Sequence, residues 1–226
     1  MKTSNYITIA FFVFLFGGVF VLFLAAKVHQ GHENENHWEG KEKVLEPFST
    51  VVAEPGAKLF LRIGDQPKMI CNYLKPDTCN FPPFVVRNDT LFVFYNPRIT
   101  KDMNINVYGK GIKAIVGKKD SYMNLQEFWV DSLTIKLNQA KLDAYFDKTK
   151  NRTTTFSILA EESMMNLTDA NIERIDIQIS KSTIKAWNNS IRSLSGTLKD
   201  HSDIQVKVME KVNVEVDSTS NYNILK

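Results

Sequence analysis

The chain has little cysteine, glycine or proline, and it carries no excess of one charge. Among its 226 residues are 2 Cys, 10 Gly and 7 Pro, and the formal net charge is +3. This composition excludes a collagen-like or low-complexity protein. Lysine and arginine are scattered among aspartate and glutamate, so the sequence lacks the basic stripe that neutralises a phosphate backbone, and we expect no nucleic-acid partner. Apolar residues make up 43%, enough for one core in a chain of this length.

One long uncharged run stands near the amino terminus, at residues 7–26, ITIAFFVFLFGGVFVLFLAA. As a helix it would span about 30 Å and be apolar on every side, which predicts an uncleaved transmembrane anchor. Residues 1–6 would then be a short cytoplasmic tail, and the rest of the chain would lie outside the cytoplasm, in the periplasm or at the cell surface. A cleaved signal peptide, and hence a secreted protein, is the alternative, because Ala25 and Ala26 are small.

The segment after this run is polar and charged without a period. We interpret residues 27–44 as a solvated linker. Its three histidines, His29, His32 and His37, are not assigned to a metal, because a flexible linker has no surrounding groups to orient them.

The two cysteines, Cys71 and Cys79, are eight positions apart. This spacing fits a small disulfide loop in an oxidising compartment, and two buried thiols are the alternative. No other cysteine or histidine stands near them in the sequence at zinc-ligand spacing, so we predict no metal and no cofactor.

Residues 45–226 are strand-like almost throughout and predict one all-β domain. Apolar and polar residues alternate over 58–63 and again over 90–95, with turn residues between such runs. Asn88-Asp89 joins two of these runs as a hairpin connection.

The second half of this domain contains an approximate repeat. When apolar strands are aligned on the residue before a polar turn, the aligned residues are 18 to 21 positions apart: Leu137, Ile158, Ile179, Leu198 and Val216. Strand-turn-strand units of equal length can bury their apolar residues only by stacking, which predicts a single-stranded β-solenoid. A β-sandwich is the alternative, because its strands also recur at short intervals.

The order of these segments resembles the head GIN domain of Bacteroidetes, also described as an auto-transporter adhesin domain. The matching segments are FSTVVAEPGAKLFLRIGD, VVRNDTLFVFY, INVYGKGIKAIVG, LTIKLNQAKLDAYF and LSGTLKDHSDIQV. Leu194-Ser195-Gly196 stands for the small-residue turn of that family. The resemblance implies a right-handed parallel β-helix, secretion or surface exposure, an adhesin-like role and no catalytic residues.

Three segments suggest chemistry, and each has a simpler structural interpretation. Gly109–Lys119 lacks the spacing and the hydroxyl of a phosphate-binding loop. The polar run Lys199–Asp203 occupies the position of a corner between strands. An enzyme acting on carbohydrate would need paired carboxylates, and the candidates alternate with Lys181 and Lys199 along the corners: Glu161, Glu162, Asp200, Asp203 and Asp217.

The sequence therefore predicts a membrane-anchored, extracytoplasmic β-solenoid without catalytic residues. We expect it to act as a non-enzymatic envelope or adhesin-like module whose polar flank binds a protein or a glycan. A membrane-tethered carbohydrate-active enzyme is one alternative. An accessory or sensory ectodomain of a membrane complex is the other, since Gly17-Gly18 permits close packing of helices in a bilayer.

Overall fold

The computed structural model describes the backbone of residues 3–33, 38–74, 79–98, 103–147 and 154–225. The chain divides into two compact units, residues 1–39 with 73–78, and residues 40–72 with 79–226. The elements within the described ranges are one helix and eighteen strands: α1 (Thr3–Glu33), β1 (Trp38–Val44), β2 (Thr50–Ala53), β3 (Lys58–Ile63), β4 (Lys68–Leu74), β5 (Phe84–Arg87), β6 (Thr90–Val93), β7 (Met103–Gly109), β8 (Ala114–Gly117), β9 (Tyr122–Phe128), β10 (Ser132–Asn138), β11 (Lys141–Phe146), β12 (Thr154–Glu161), β13 (Met164–Thr168), β14 (Asn171–Ser180), β15 (Thr183–Trp187), β16 (Ser190–Lys199), β17 (Asp203–Val216) and β18 (Asn221–Leu225).

Helix α1 contains the apolar run of residues 7–26 and continues beyond it. Its described side chains, those of residues 11–25 and Lys27, are all exposed, with Phe14 at 83%. Among the described residues, no helix is both long enough and apolar enough to cross a membrane. The side chains of residues 7–10 and Ala26, which belong to the predicted anchor, lie outside the described part.

The segment 27–44 differs from the irregular linker that its composition suggests. Helix α1 extends to Glu33 and strand β1 begins at Trp38. The helix can continue because residues 27–33 contain no proline and only one glycine, so no backbone group interrupts its hydrogen bonds. Polar residues without a period do not reveal β1, because six of its seven side chains are exposed and the seventh is half-buried.

In the second unit the strands coil into a β-solenoid with two parallel sheets. Each rung is a strand of sheet I followed by a strand of sheet II. Sheet I has the order β6, β2, β8, β10, β12, β14, β16 and then residues 208–216 of β17. Sheet II has the order β7, β3, β9, β11, β13, β15, residues 203–207 of β17, and β18.

Parallel pairing of successive rungs confirms the all-β solenoid and shows that the β-sandwich alternative is wrong. Strand β5 pairs antiparallel with β6 as a hairpin, in which Arg87 pairs with Thr90. Its connection, Asn88-Asp89, has φ of 50° and 59°, as the two-residue hairpin turn requires. The right-handed sense of the coil, which the family resemblance implies, stays a prediction.

The five residues aligned in the repeat of the second half all lie on the predicted inward face. One of them, Ile158, belongs to a different column of paired residues from the other four. Leu137 pairs with Ala160, whereas Ile158 pairs with Ile135. The column then continues through Ile179, Leu198 and Val216 as expected. Inward-facing residues recur at every second position, so an alignment on apolar character cannot distinguish a strand's last inward residue from the one before it.

Rungs meet at corners built from one or two residues in the left-handed region followed by a buried residue. In the corners between sheet I and sheet II, the left-handed residues are Asp120, Gln139, Glu162, Lys181, Asp200 and His201. In the corners that return to sheet I, they include Asp169 and Asn188. Polar side chains tolerate this backbone conformation better than apolar ones, which explains the polar turns in the sequence.

The small residues of the first corner type form a serine ladder, Ser163, Ser182, Ser202 and Ser220. Each serine N–H donates to the Oγ of the next rung's serine: Ser163 to Ser182 at 3.0 Å, Ser182 to Ser202 at 3.3 Å, and Ser202 to Ser220 at 3.1 Å. The first three serines are buried. The ladder therefore satisfies backbone groups that the corners remove from the sheets.

The family resemblance placed a turn at Leu194-Ser195-Gly196, and this interpretation is wrong. The three residues lie inside β16, where they pair with Ile175, Asp176 and Ile177 of β14. Gly196 has a φ of 132°, and a Cβ added there would lie 1.8 Å from the carbonyl oxygen of Ile177. The glycine is required by a close approach between neighbouring strands rather than by a corner.

Candidate functional site

The outer face of sheet II carries a continuous column of mainly polar side chains. One residue from the middle of each strand contributes, in rung order Asn106, Phe60, Asn124, Asp143, Asn166, Lys185, Gln205 and Asn223. Parallel in-register strands place equivalent residues one strand spacing apart, about 4.8 Å. This column gives one flank of the solenoid an evenly spaced row of hydrogen-bonding groups.

Near the middle of this column, Asp143 organises a network of hydrogen bonds. Tyr122 donates its hydroxyl to Asp143 Oδ2 at 2.8 Å, and Asn166 Nδ2 donates to Oδ1 at 2.6 Å. Lys141 Nζ lies 3.3 Å from the same Oδ2. Asp143 is 8% exposed. Its carboxylate is therefore committed to holding neighbours in place and does not stand free as a catalytic base.

The Tyr122 phenol takes part in the network as a neutral donor. Burial raises the pKa of Tyr122 above its ordinary value, and the bond to the Asp143 carboxylate raises it further, while the bond from Asn124 lowers it. The phenol is consequently protonated at neutral pH. It donates to Asp143 and accepts from Asn124 Nδ2 at 3.2 Å.

A groove of about 770 Å³ lies where sheet II meets the returning corners. Trp187, the last residue of β15, lines this groove and is 56% exposed. The groove has mainly neutral hydrogen-bonding side chains, together with the carboxylate of Asp169 and the ammonium of Lys207: Asn171, Asn188, Asn189, Ser190, Gln205 and Asn223. An exposed indole beside amides offers both an apolar plane and groups that donate and accept hydrogen bonds.

Two adjacent asparagines fix the wall of this groove, which we call the Trp187 groove. Asn188 has a φ of 57° and donates its Nδ2 to Asp169 Oδ1 at 2.9 Å. Asn189 is buried, where its Oδ1 accepts from the N–H of Ala170 at 2.5 Å and its Nδ2 donates to the carbonyl of Leu167 at 3.0 Å. The side chain of Asn189 thus replaces a missing backbone partner at the corner. The groove has a rigid frame before any ligand enters.

A second groove, of about 900 Å³, lies at the first corner type. Its lining includes Tyr122, Lys141 and Met164, and also the charged pair Glu162 and Lys181. Lys181 Nζ is 3.2 Å from Glu162 Oε1. Because it contains several fixed charges, this groove suits neutral hydroxyl-bearing ligands less well than the Trp187 groove.

The acidic residues considered for catalysis are engaged separately along the corners. A hydrogen bond from Gln139 and then the Lys181 ammonium lower the pKa of Glu162, and Asn138 Nδ2 donates to Glu161 at 3.0 Å. The backbone N–H of Asp200 is the main cause of a strongly lowered pKa at Asp217. None of these shifts prepares a carboxylic acid to donate a proton at neutral pH, which glycoside hydrolysis requires.

The remaining carboxylates of that set also have local partners. Asp200 accepts from the Ser180 hydroxyl at 2.8 Å, and Asp203 accepts from Gln205 Nε2 at 3.2 Å. The Lys181 corner stands between the Glu162 corner and the Asp200 corner in the stack. The structure therefore distributes these groups along one edge of the stack.

The other two segments with suggestive chemistry are structural. In Lys199–Asp203, Asp200 and His201 occupy the left-handed corner positions and Ser202 belongs to the serine ladder. In Gly109–Lys119, residues 114–117 form β8, and Gly109 is packed beneath the ring of Phe48. In the second segment, the backbone N–H groups of Lys113 and Lys118 donate to the carbonyls of Ser49 and Ala53.

Cys71 and Cys79 lie close together, with their Cα atoms 6.1 Å apart and a disulfide between them. Both residues belong to the second unit and are buried. The side chains of the linker histidines, His29, His32 and His37, lie outside the described residues. Within the described part of the chain, no group of three or more His, Cys, Asp or Glu residues could hold a metal ion.

Sequence reasoning missed the Trp187 groove because its components are not adjacent in the chain. They come from β14, β15, β16, β17, β18 and two successive corners. One signal in the sequence could have indicated the groove. Asn188-Asn189, which directly follow Trp187, align with Asp169-Ala170 nineteen residues earlier. With the correct register, that alignment places an exposed indole beside a polar corner.

Comparison with known proteins identifies the fold. No protein-family model matches the chain, and no curated protein matches it. The crystal structure of a candidate adhesin from Bacteroides fragilis aligns with a TM-score of 0.54 at 9% identity, over 84% of this chain and 97% of that one. A candidate adhesin from Parabacteroides merdae and a candidate lipid-binding protein from Parabacteroides distasonis each align with a TM-score of 0.41 at 12% identity, over 84% of this chain and 96% and 97% of theirs. The chain therefore shares the fold of the Bacteroides fragilis protein, and membership of the head GIN family stays a prediction.

Proposed function

We propose that the protein is a non-enzymatic binding module of the cell envelope that holds a glycan in the Trp187 groove. The observation that carries this proposal is the exposed indole of Trp187 within a groove lined by neutral amide side chains. Sugar rings present an apolar face that packs against an indole and a rim of hydroxyls that bond to amides.

The rigid sheet supports binding more than catalysis. Asn189 and the left-handed corner at Asn188 fix the groove wall through bonds to Ala170, Leu167 and Asp169. A preorganised site loses little conformational entropy when a ligand binds. The carbohydrate-active enzyme needs two facing carboxylates, whereas the described lining of this groove contains one, that of Asp169.

Replacing Trp187 with alanine is expected to weaken glycan binding about tenfold or more, since an aromatic anchor in a groove typically contributes at least 1.4 kcal/mol. The probe is an array of bacterial and host glycans, screened with full-length protein and followed by titration of the best binder. Trp38→Ala is the matched control, because Trp38 is 54% exposed but lies in β1. Equal affinity of the two variants would overturn the role of the groove, and loss of a protein partner without any glycan binding would identify a protein ligand instead.

We further propose that residues 7–26 anchor the chain in a membrane and that the β-solenoid lies outside the cytoplasm. The support is the length and uniform apolar character of the run, together with a cysteine pair that an oxidising compartment would keep bonded.

Intact-mass analysis of the membrane fraction, combined with alkylation and external protease, tests this topology. We expect a chain that retains Met1, takes up no iodoacetamide until it is reduced, and is digested from outside the cytoplasmic membrane. Cleavage near Ala26 would show a secreted protein. Alkylation of Cys71 and Cys79 before reduction, or protection from protease, would contradict an extracytoplasmic domain.

A further inference from the structure

The Trp187 groove continues along the solenoid axis to a second exposed aromatic residue. Tyr145 of β11 pairs with Thr168 of β13, and Thr168 pairs with Trp187 of β15. Tyr145 follows Asp143 by two positions, so this row lies on the same outer face of sheet II as the column of mainly polar side chains. Tyr145 is 49% exposed and Trp187 is 56% exposed. Two aromatic side chains are thus exposed in one row, two rungs apart.

The backbone sets the spacing between these two aromatic residues. Adjacent strands of a sheet lie about 4.8 Å apart, so equivalent residues two rungs apart are separated by about 9.6 Å. Thr168, which lies between them, is half-buried, and its side chain extends less far from the sheet than either ring. The spacing is therefore present before any ligand arrives, and no rearrangement of the strands is needed to produce it.

Hydrogen-bonding groups accompany the row on both sides. On one side, the neighbouring column of sheet II contributes Asn166, Lys185 and Gln205. On the other side, the returning corners contribute Asp169 and Asn188. The aromatic side chains lie between two sets of polar groups. A linear chain of sugars has the complementary arrangement, with apolar ring faces and hydroxyls at both rims.

We propose that the row from Tyr145 to Trp187 binds an extended β-1,4-linked glycan whose chain runs along the solenoid axis. In such a chain each sugar is turned over relative to the one before it, so alternate sugars present the same face to one side. The disaccharide repeat is close to two strand spacings, about 9.6 Å. One sugar then packs on Trp187 and the next but one on Tyr145. This assignment of the ligand class rests on the glycan-binding function proposed above.

Titration of the full-length protein with oligosaccharides of different length tests the proposal. The probes are the β-1,4-linked disaccharide and tetrasaccharide of glucose and of N-acetylglucosamine. A disaccharide contacts one aromatic residue, whereas a tetrasaccharide contacts both, so in at least one of the two series we expect the tetrasaccharide to bind about tenfold more tightly. The α-1,4-linked tetrasaccharide of glucose is the control ligand and should bind no better than the disaccharides, because its coiled chain does not present alternate sugars to one side.

The variant Tyr145→Ala separates this proposal from the role of Trp187. We expect it to lower the affinity for the tetrasaccharide about tenfold and to leave the affinity for the disaccharide unchanged, whereas Trp187→Ala lowers both. Tyr95→Ala is the matched control, because Tyr95 is 56% exposed but follows β6, outside this row. It should bind both ligands as the unchanged protein does.

The possible results distinguish failure of this proposal from failure of the proposed function. Equal affinities for the disaccharide and the tetrasaccharide, equally tight binding of the α-1,4-linked control, or an unchanged affinity in Tyr145→Ala would each overturn the extended chain. The same conclusion follows if another glycan binds through Trp187 and no β-1,4-linked probe binds. In all these cases Trp187-dependent glycan binding would stand, whereas a protein that binds no glycan at all would overturn the proposed function itself.

Discussion

Replacing Gly196 with alanine is expected to lower the free energy of unfolding by about 4 kcal/mol or more, in the range that marks a severe steric defect. A Cβ at this position would lie 1.8 Å from the carbonyl oxygen of Ile177 and 2.8 Å from its carbonyl carbon and its nitrogen. These are backbone atoms of the neighbouring strand, so no side-chain rotation relieves the overlap. The φ of 132° is in addition accessible essentially only to glycine.

Gly111→Ala is the matched control for this prediction. Gly111 also has a positive φ, 70°, but a Cβ added there meets nothing within 4 Å. We expect it to cost about 1 kcal/mol, from the left-handed backbone alone. Pulse proteolysis of the full-length protein across a urea series measures both variants, and similar losses for the two would show that the close approach of β14 and β16 is not the cause.

Replacing Ser182 with alanine is expected to cost about 1–3 kcal/mol, the range for leaving a buried backbone donor unsatisfied. Ser182 Oγ accepts from the N–H of Ser163 at 3.0 Å and donates to the carbonyl of Ser180 at 2.8 Å. Alanine removes both bonds from a corner where water cannot replace them, since Ser182 is 2% exposed. The same urea series measures the loss.

Ser121→Ala provides the control within the same set of corners. Ser121 is also 2% exposed, and its Oγ makes no hydrogen bond within the described structure. Removing an unpaired buried hydroxyl should leave stability unchanged or raise it slightly. A loss at Ser121 as large as that at Ser182 would show that the serine ladder does not stabilise the corners.

The regular half of the fold could be predicted because its repeats are local. From β10 to the end of β17, each rung pairs with its neighbour in sequence, so the period of apolar residues and the polar corners together indicate the stack. The misplacement of Ile158 by one inward position arose because period-two alternation specifies a face and not a register. Gly196 was misassigned for a related reason, since a glycine marks a corner and a close strand contact equally well.

The amino-terminal rungs could not be predicted in the same way. Strand β2 lies between β6 and β8, so its neighbours in sheet I come from later parts of the chain. No repeat in the sequence indicates an insertion of this kind, because the pairing is set by contacts between distant segments. The same limit hid the Trp187 groove, whose side chains come together only when the rungs are stacked in the correct register.

The position of β2 in the stack also separates the order of synthesis from the order of assembly. Thr50 of β2 pairs with Thr90 and Ala114, which follow it by 40 and 64 residues, whereas Ile179 and Leu198 are separated by 19. Closing the longest of these loops costs about 1 kcal/mol more than closing a 19-residue one. Moreover, β2 and β3 are made first yet cannot be enclosed on both sides until β9 exists. The earliest rung of the β-solenoid to leave the ribosome is therefore made before either of its neighbours, while each later rung finds a neighbour already in place.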